Sequence, residues 1–440
     1  MSAKSHPSFP PGPTAPKLWQ LARTQQDYVG FMNECAERYG PIFTVRIHPI
    51  DRMVVVTRPD DLGRLFRSLP ERFVRPFAPG DVLGSILGST SIFMTTGQMH
   101  RRQRRLLKPS LRGDLIVRWA ERMLALASEE LKALPTGRPV GMRQPMRDVT
   151  LDVICRLIFG VDDPKRVQFL RDDISTGVSY PLALLLWFPS LWKRNGRLNP
   201  LYNLRHRRLL LLRMLTTQIE IHRADPDLED RDDALSLMIR ARDENGQPLS
   251  HQELCDQLLT LLAAGNESTA VALAWAIERL SRNPESLDRL MSELVEGKDR
   301  YLDAVINETL RTRPPVLDAV RTATEDIEFG EYLIPKGTLI SAAFTVTHTL
   351  RDVWSDPHTF RPERFLEGQS VPYSHVPFGG GVHRCLGASF GELEMRIVIK
   401  ELLRRFRIEA APGPEEKIRL HGLTLVPARG AQVILQPRKS

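Results

Sequence analysis

Cysteine is scarce in this 440-residue chain, and the few present are far apart: Cys35, Cys155, Cys255 and Cys385. A disulfide framework or a structural zinc site needs clustered cysteines, so both are excluded, and reduced thiols in a cytoplasm fit the pattern. Long apolar runs are also missing. The N-terminus, MSAKSHPSFPPGPTAPKLWQL, lacks the apolar centre of a signal peptide or anchor. The longest mainly apolar stretch, Tyr180 to Trp192, holds two prolines and is too short to span a bilayer. It suits a pocket wall or a contact with a membrane surface. There is no internal repeat, and no low-complexity block beyond the Pro-rich first sixteen residues. The 61 Lys and Arg outnumber the 53 Asp and Glu, for a net charge of +8. That excess favours an acidic partner or an anionic surface and leaves the fold open.

The pattern along the chain is helical with a minor sheet. Ile42 to Ile47 and Met53 to Thr57 alternate like the arms of a hairpin. Residues 100–315 carry mostly helical periodicity. Asn245-Gly246 marks a turn, and Ser250 with Glu253 has capping-box spacing. The helix expected over 251–282 is apolar all round, as in a helix buried through a large domain. Asn283-Pro284 ends it, and Pro314-Pro315 stops two further helices. Short strands are expected over 316–347 and 418–437, with a helix over 386–406 between them. The organisation is a tail over 1–19 and a single domain over 20–440.

One stretch concentrates unusual chemistry: Phe378 to Gly387, FGGGVHRCLG. Its glycines allow tight turns and close approach of a flat object. Cys385 precedes a helical pattern, and unpaired N–H groups with the helix dipole are expected to favour its thiolate. A thiolate so presented binds a metal from one side. This segment resembles the heme-binding loop of the cytochromes P-450, F-x-x-G-x-x-x-C-x-G, with Phe378, Gly381, Cys385 and Gly387 at its fixed positions. The resemblance implies that Cys385 is the axial thiolate of heme b (iron protoporphyrin IX), donating electron density that favours O–O cleavage. Phe378 and Gly379 would pack by the heme, and His383 would sit near a propionate.

Companion motifs extend the resemblance over 20–437. His100 and Arg104 fit a helical H-x-x-x-R that holds propionates, and Arg321 matches another such position. Glu308 and Arg311 in ETLR, with Arg364 in RPERF, match a buried charge network that is structural. AAGNESTA, Ala263 to Ala270, is similar to the family's oxygen-activation motif. Glu267, Ser268 and Thr269 are its catalytic candidates, with Ser268 where the family usually has Thr. Gly265 and the two hydroxyls are expected to open the helix locally. The implied fold is mainly α with a minor β region: a triangular helical prism with a long central helix and small antiparallel sheets.

The implied activity is O2-dependent monooxygenation of a lipophilic small molecule, a terpenoid or fatty-acyl compound. Electrons would derive from NAD(P)H through a separate ferredoxin or flavodoxin and its reductase. Their docking is expected on a basic face of Arg101, Arg102, Arg105, Lys108, Arg396, Lys400, Arg404 and Arg405. Pocket candidates are Ser91, Ile92, Ala263, Ala264, Val316, Leu317 and Leu423, with the 178–188 run; Asp318 would tether an amine or hydroxyl if it points inward. A monomer in the cytoplasm, with no transmembrane anchor, is expected. Competing readings are a peroxide-using or isomerising heme-thiolate enzyme, a non-catalytic heme protein, and a nucleic-acid-binding protein. The acid–alcohol pair speaks against the first two. Basic charge alone supports the last, which leaves the cysteine loop unexplained.

Overall fold

The structure is a computed structural model, and it describes residues 9–67, 72–74, 82–111, 113–175, 200–368 and 371–438. The elements that position the site, in chain order, are helices α1 (Lys17–Gln26) and α2 (Tyr28–Tyr39), strands β1 (Ile42–Val45) and β2 (Met53–Val56), α3 (Pro59–Arg67), β3 (Phe73–Val74), α4 (Val82–Leu87), α5 (Gly97–Leu107), α6 (Ala120–Lys132), β4 (Pro139–Gly141), α7 (Arg143–Val153) and α8 (Pro200–Ala224). There follow α9 (His251–Arg282), α10 (Pro284–Val295), α11 (Arg300–Thr312), β5 (Ala319–Ala323), β6 (Ile327–Phe329), β7 (Tyr332–Ile334), β8 (Leu339–Ala342), α12 (Ala388–Arg405), β9 (Phe406–Ala410), β10 (Ile418–His421), β11 (Thr424–Pro427) and β12 (Gln432–Pro437).

The hairpin expected from the alternating residues is β1–β2, antiparallel, pairing Ile42 with Val56. It forms the edge of a sheet ordered β1-β2-β8-β5-β3, in which only β2–β8 is parallel. Residues 9–16 are not a detached tail. The carbonyl of Pro10 accepts from Thr44 Oγ1 at 2.8 Å, and that of Pro11 accepts from the Thr44 N–H at 2.9 Å.

α9 is the axis of the molecule. Its start is fixed by the full capping box: Ser250 Oγ accepts from the Glu253 N–H, and Glu253 accepts from the Ser250 N–H. Its first turns, with Leu254, Leu258, Leu259 and Leu262, pack in one core with Ile154, Leu157, Leu215 and Phe390. Its later turns, from Ala270 to Leu280, pack in a second core with Met146, Tyr301, Val398 and Leu402. Residues 263–269 belong to neither core, and there Ala263 and Ala264 are exposed. By length and composition α9 could cross a membrane, but the larger part of it is buried, as suits a core helix.

A carboxylate organises the irregular chain on the other side. Glu308 is fully buried on α11 and accepts from Arg311 Nε and Nη2 at 2.7 and 2.8 Å, from Arg364 Nε at 3.2 Å and from the Arg361 N–H at 2.8 Å. Arg311 donates further to the carbonyls of His348 and Pro357, and Arg364 to that of Ser355. Both guanidinium groups lie over Trp354, 5.1 and 6.0 Å from its centre. The two cations thus tie down carbonyls that regular structure leaves unsatisfied. Removing one partner strands buried charge. Glu308→Ala is therefore expected to lose about 3–5 kcal/mol of stability, measured by urea denaturation. Arg105→Ala, which breaks the exposed pair with Glu244, should stay within about 1 kcal/mol.

Candidate active site

The loop 378–387 takes its shape from glycine. Gly381 has φ +65°, and a Cβ there would stand 2.0 Å from the carbonyl oxygen of Phe66; one at Gly380 would meet the Phe66 ring at 2.6 Å. The end of α3 therefore lies directly against the loop. The Cys385 N–H closes it by donating to the Phe378 carbonyl at 2.9 Å. Phe378 packs on the second core, with Arg384 over its ring, and Gly387 caps α12.

Of the four cysteines, Cys35, Cys155 and Cys255 are buried and Cys385 is exposed. Burial pushes the thiols of Cys35 and Cys155 up to about 12. The Cys385 thiol is also raised, and desolvation is the leading cause although its surface is accessible: protein surrounds it on most sides. The Gly387 N–H, Arg384 and Arg104 pull in the other direction but do not prevail. The helix-terminus N–H thus acts in the expected direction, against a larger desolvation.

Four basic side chains were expected at this site. His100, buried on α5, places Nε2 3.1 Å from His383 Nδ1. Arg104, one turn along α5, is within electrostatic reach of Cys385. Arg321 on β5 is pushed down to about 10 by desolvation alone; it donates to the Val320 carbonyl and makes no ion pair among the described residues. A desolvated guanidinium without a carboxylate is costly unless an anion completes it.

The oxygen-activation candidates lie on α9. Ala263 and Ala264 are exposed in the middle of an otherwise buried helix, between Leu262 and Asn266, which are buried. Ser268 Oγ donates to the Ala264 carbonyl at 2.7 Å. Thr269 turns toward α12, where its Oγ1 would be 3.6 Å from a Cβ on Gly391. Asn266 Oδ1 accepts from Thr150 on α7. Glu267 is held by two arginines of α7, with Arg143 Nε at 3.0 Å and Arg147 Nε at 3.1 Å. The expected local opening of the helix is absent. α9 is continuous, and the missing Cβ of Gly265 instead admits Ile154.

Other expectations are corrected by long-range partners. Ser91 does not face a ligand: it is fully buried, its hydroxyl 2.6 Å from Thr260 Oγ1. Leu317 is half-buried and packs on the core around α2. Asp318 also points into the fold, where Tyr28, Ser341 and Thr345 all donate to it. Ile92 packs at the edge of the first core; Val316 and Leu423 stay exposed beside the β10–β11 hairpin, to which Val316 bridges at Thr424. The 178–188 run lies outside the described residues. The expected basic face is largely neutralised: Arg102 pairs with Asp243 and Glu253, Arg105 with Glu244, Arg396 with Asp303, Lys400 with Asp299, and Arg404 and Arg405 with Glu401.

One accessible thiol, a histidine pair and an uncompensated guanidinium form the donor set of a heme-thiolate enzyme. Comparison with known proteins agrees. The family model for cytochrome P450 matches residues 7–435. Cytochrome P450 135B1 of Mycobacterium tuberculosis is 35% identical over 441 residues, covering 98% of this chain and 92% of its own. Cytochrome P450 135A1 of the same organism is 33% identical, covering 98% and 96%. The solved structure of a retinoic acid-bound cyanobacterial CYP120A1 superposes with a TM-score of 0.85 at 27% identity, covering 99% of this chain and all of that one. The chain belongs to the cytochrome P450 family, whose members are monooxygenases that carry heme b on a cysteine thiolate. The residues present fit that group: an accessible thiol, and a desolvated Arg321 without an ion pair among the described residues, which an anionic group would complete.

The satisfied carboxyl of Asp318 has a pH signature. Burial raises it from 3.8 to about 7, above its unfolded value, although three hydroxyls lower it. The stability it contributes is complete below 3.8 and is lost as pH rises to about 7. At about 1.4 kcal/mol per unit, the fall is of order 2–4 kcal/mol. Asp318→Asn should flatten that part of the stability profile, read from urea midpoints between pH 4.5 and 8 (a span of about four units about the shift).

Proposed function

We propose that this chain hydroxylates, epoxidises or further oxidises a lipophilic small molecule, of terpenoid or fatty-acyl class, in the cytoplasm. Its electrons come from a separate ferredoxin or flavodoxin and its reductase. The observation that carries the reading is the pairing of the open Ala263–Ala264 face and the Ser268 hydroxyl with the accessible Cys385 thiol. Cys385 ligates the heme iron, His100, Arg104, His383 and Arg321 hold the propionates, and Phe378, Gly379 and Gly387 shape the loop. Bound there, heme supplies the O2 activation and C–H oxidation.

The chain's own groups bind and orient the substrate and deliver protons. Ile92, Ala263, Ala264, Val316 and Leu423 offer shape and apolar surface, which suits a ligand of low polarity. Retinoic acid, bound in the cyanobacterial neighbour, is an isoprenoid of that kind. Ser268 holds a proton at Oγ beside the cavity. Glu267 serves it from the far side once it leaves its arginines. A peroxide-using or isomerising enzyme has less need of this acid and alcohol.

The absorbance of the dithionite-reduced protein under carbon monoxide tests the cofactor. The long-wavelength Soret band of thiolate-ligated ferrous heme should appear in the wild type and vanish in Cys385→Ala. A wild type that takes up no heme, or shows a histidine-ligated spectrum, overturns the reading. Ser268→Ala should keep that band while product formation falls roughly 10²-fold and electron consumption goes to peroxide. Product and peroxide yields per NAD(P)H check this. A larger loss in Thr269→Ala would move the role to Thr269.

A further inference from the structure

The segment between α4 and α5 has backbone groups that its own fold does not satisfy. The Thr90 N–H donates to Asp256 Oδ2 at 3.1 Å, and the Ile92 N–H to Gln257 Oε1 at 2.9 Å. The Thr90 carbonyl accepts from Gln257 at 2.8 Å and from Gln103 of α5 at 2.7 Å. The Ile86 carbonyl accepts from Arg208 Nε of α8 at 2.9 Å. Side chains from three helices thus hold one stretch of chain, and its position depends on them.

Asp256 is the hub. Its carboxylate is fully buried on α9, and Thr90 Oγ1 and Gln252 donate to it at 2.7 and 2.8 Å. A Cβ on Gly88, whose φ is +91°, would lie 2.0 Å from it, so the backbone sits directly on the carboxylate. Arg208 Nη2 approaches Asp256 Oδ1 at 3.4 Å. Arg208 is therefore bonded to α9 and to the segment at once, from a half-buried position on α8. Two turns of α9 beyond Asp256 lie the open Ala263 and Ala264, and the held segment ends at Ile92, which packs on the same core as Leu262, the residue just before them.

We propose that Arg208, acting through Asp256, is a specificity-determining positioning residue: it holds the 86–92 wall in place and so sets how bulky a ligand the cavity admits. Neither side chain needs to touch the ligand. A small ligand at the heme does not reach the wall, whereas a bulky one presses on it. Selectivity for size is thereby separated from affinity for the heme site.

The test uses the heme-loaded protein and two azoles followed by their Soret shift, imidazole and the bulky clotrimazole. It rests on the heme reading above, and a wild type that shows no azole shift at all fails that reading and this one together. In Arg208→Met, the imidazole Kd should stay within about twofold while the clotrimazole association rate changes about tenfold. Asp256→Asn should reproduce that change, and the double variant should equal either single one, since one interaction is being broken. Equal shifts for both azoles would mean a general loosening of the heme site and would overturn the proposal. So would unchanged rates in Arg208→Met, or additive effects in the double variant. Arg208 is half-buried, so Arg208→Met keeps the test decisive if Asp256→Asn does not fold. The ferrous–CO band and the melting temperature of Arg208→Met verify that its site is intact.

Discussion

The buried carboxylate of Glu308 is the constraint on which the proximal half of the molecule depends. It accepts four hydrogen bonds, from two arginines and one backbone amide. Those arginines then bond carbonyls between His348 and Pro357. This stretch has little regular structure to hold it, and it leads directly into the loop that carries Cys385. The charge is tolerable in the core because every acceptor site is used and the guanidinium planes also rest on Trp354. The result is a loop held from below by charge and from the side by the close contact between Phe66 and two glycines.

The distal half obeys a different constraint, the 3.6-residue period of α9. Consecutive residues must point about 100° apart, so the acid and hydroxyls of one short motif serve different neighbours. Ala263 and Ala264 leave a gap in the core, and Ser268 bonds back toward that gap. Asn266 and Glu267 face α7 instead, where Thr150, Arg143 and Arg147 hold them. The acid is thus a member of an interhelical ion pair as well as of the motif. Its carboxylate is tethered by Arg143 and Arg147 of α7.

Local signals were legible in the sequence, and long-range ones were not. The capping box of Ser250 and Glu253, the β1–β2 hairpin and the helix breaks at Pro284 and Pro314 depend on neighbours within a few residues, and all are present. The glycine and cysteine loop was legible for the same reason. The partners of Ser91, Leu317 and Asp318 were not, although Asp318 was already the more expected to face away from a ligand. Their direction is decided by Thr260, by the core around α2, and by Tyr28, partners distant in sequence. The roles of Arg208 and Asp256 carried no signal at all, since nothing in LRHRRLLLL or ELCDQLL marks which of many arginines and acids will meet. The thiol of Cys385 shows the limit from the other side. Its helix terminus is visible in sequence, but the desolvation that outweighs it is not.

Net charge illustrates why counting cannot replace geometry. An excess of +8 suggested a broad basic face on α5 and α12. Instead Arg102 reaches across to Asp243 and Glu253 at the start of α9, and Arg396 and Lys400 reach to Asp303 and Asp299 on and before α11. These cations join helices, and each brings its own carboxylate to the same surface. At the ionic strength of a cell, paired charges cancel beyond a Debye length of about 8 Å, so such a face steers an acidic protein weakly.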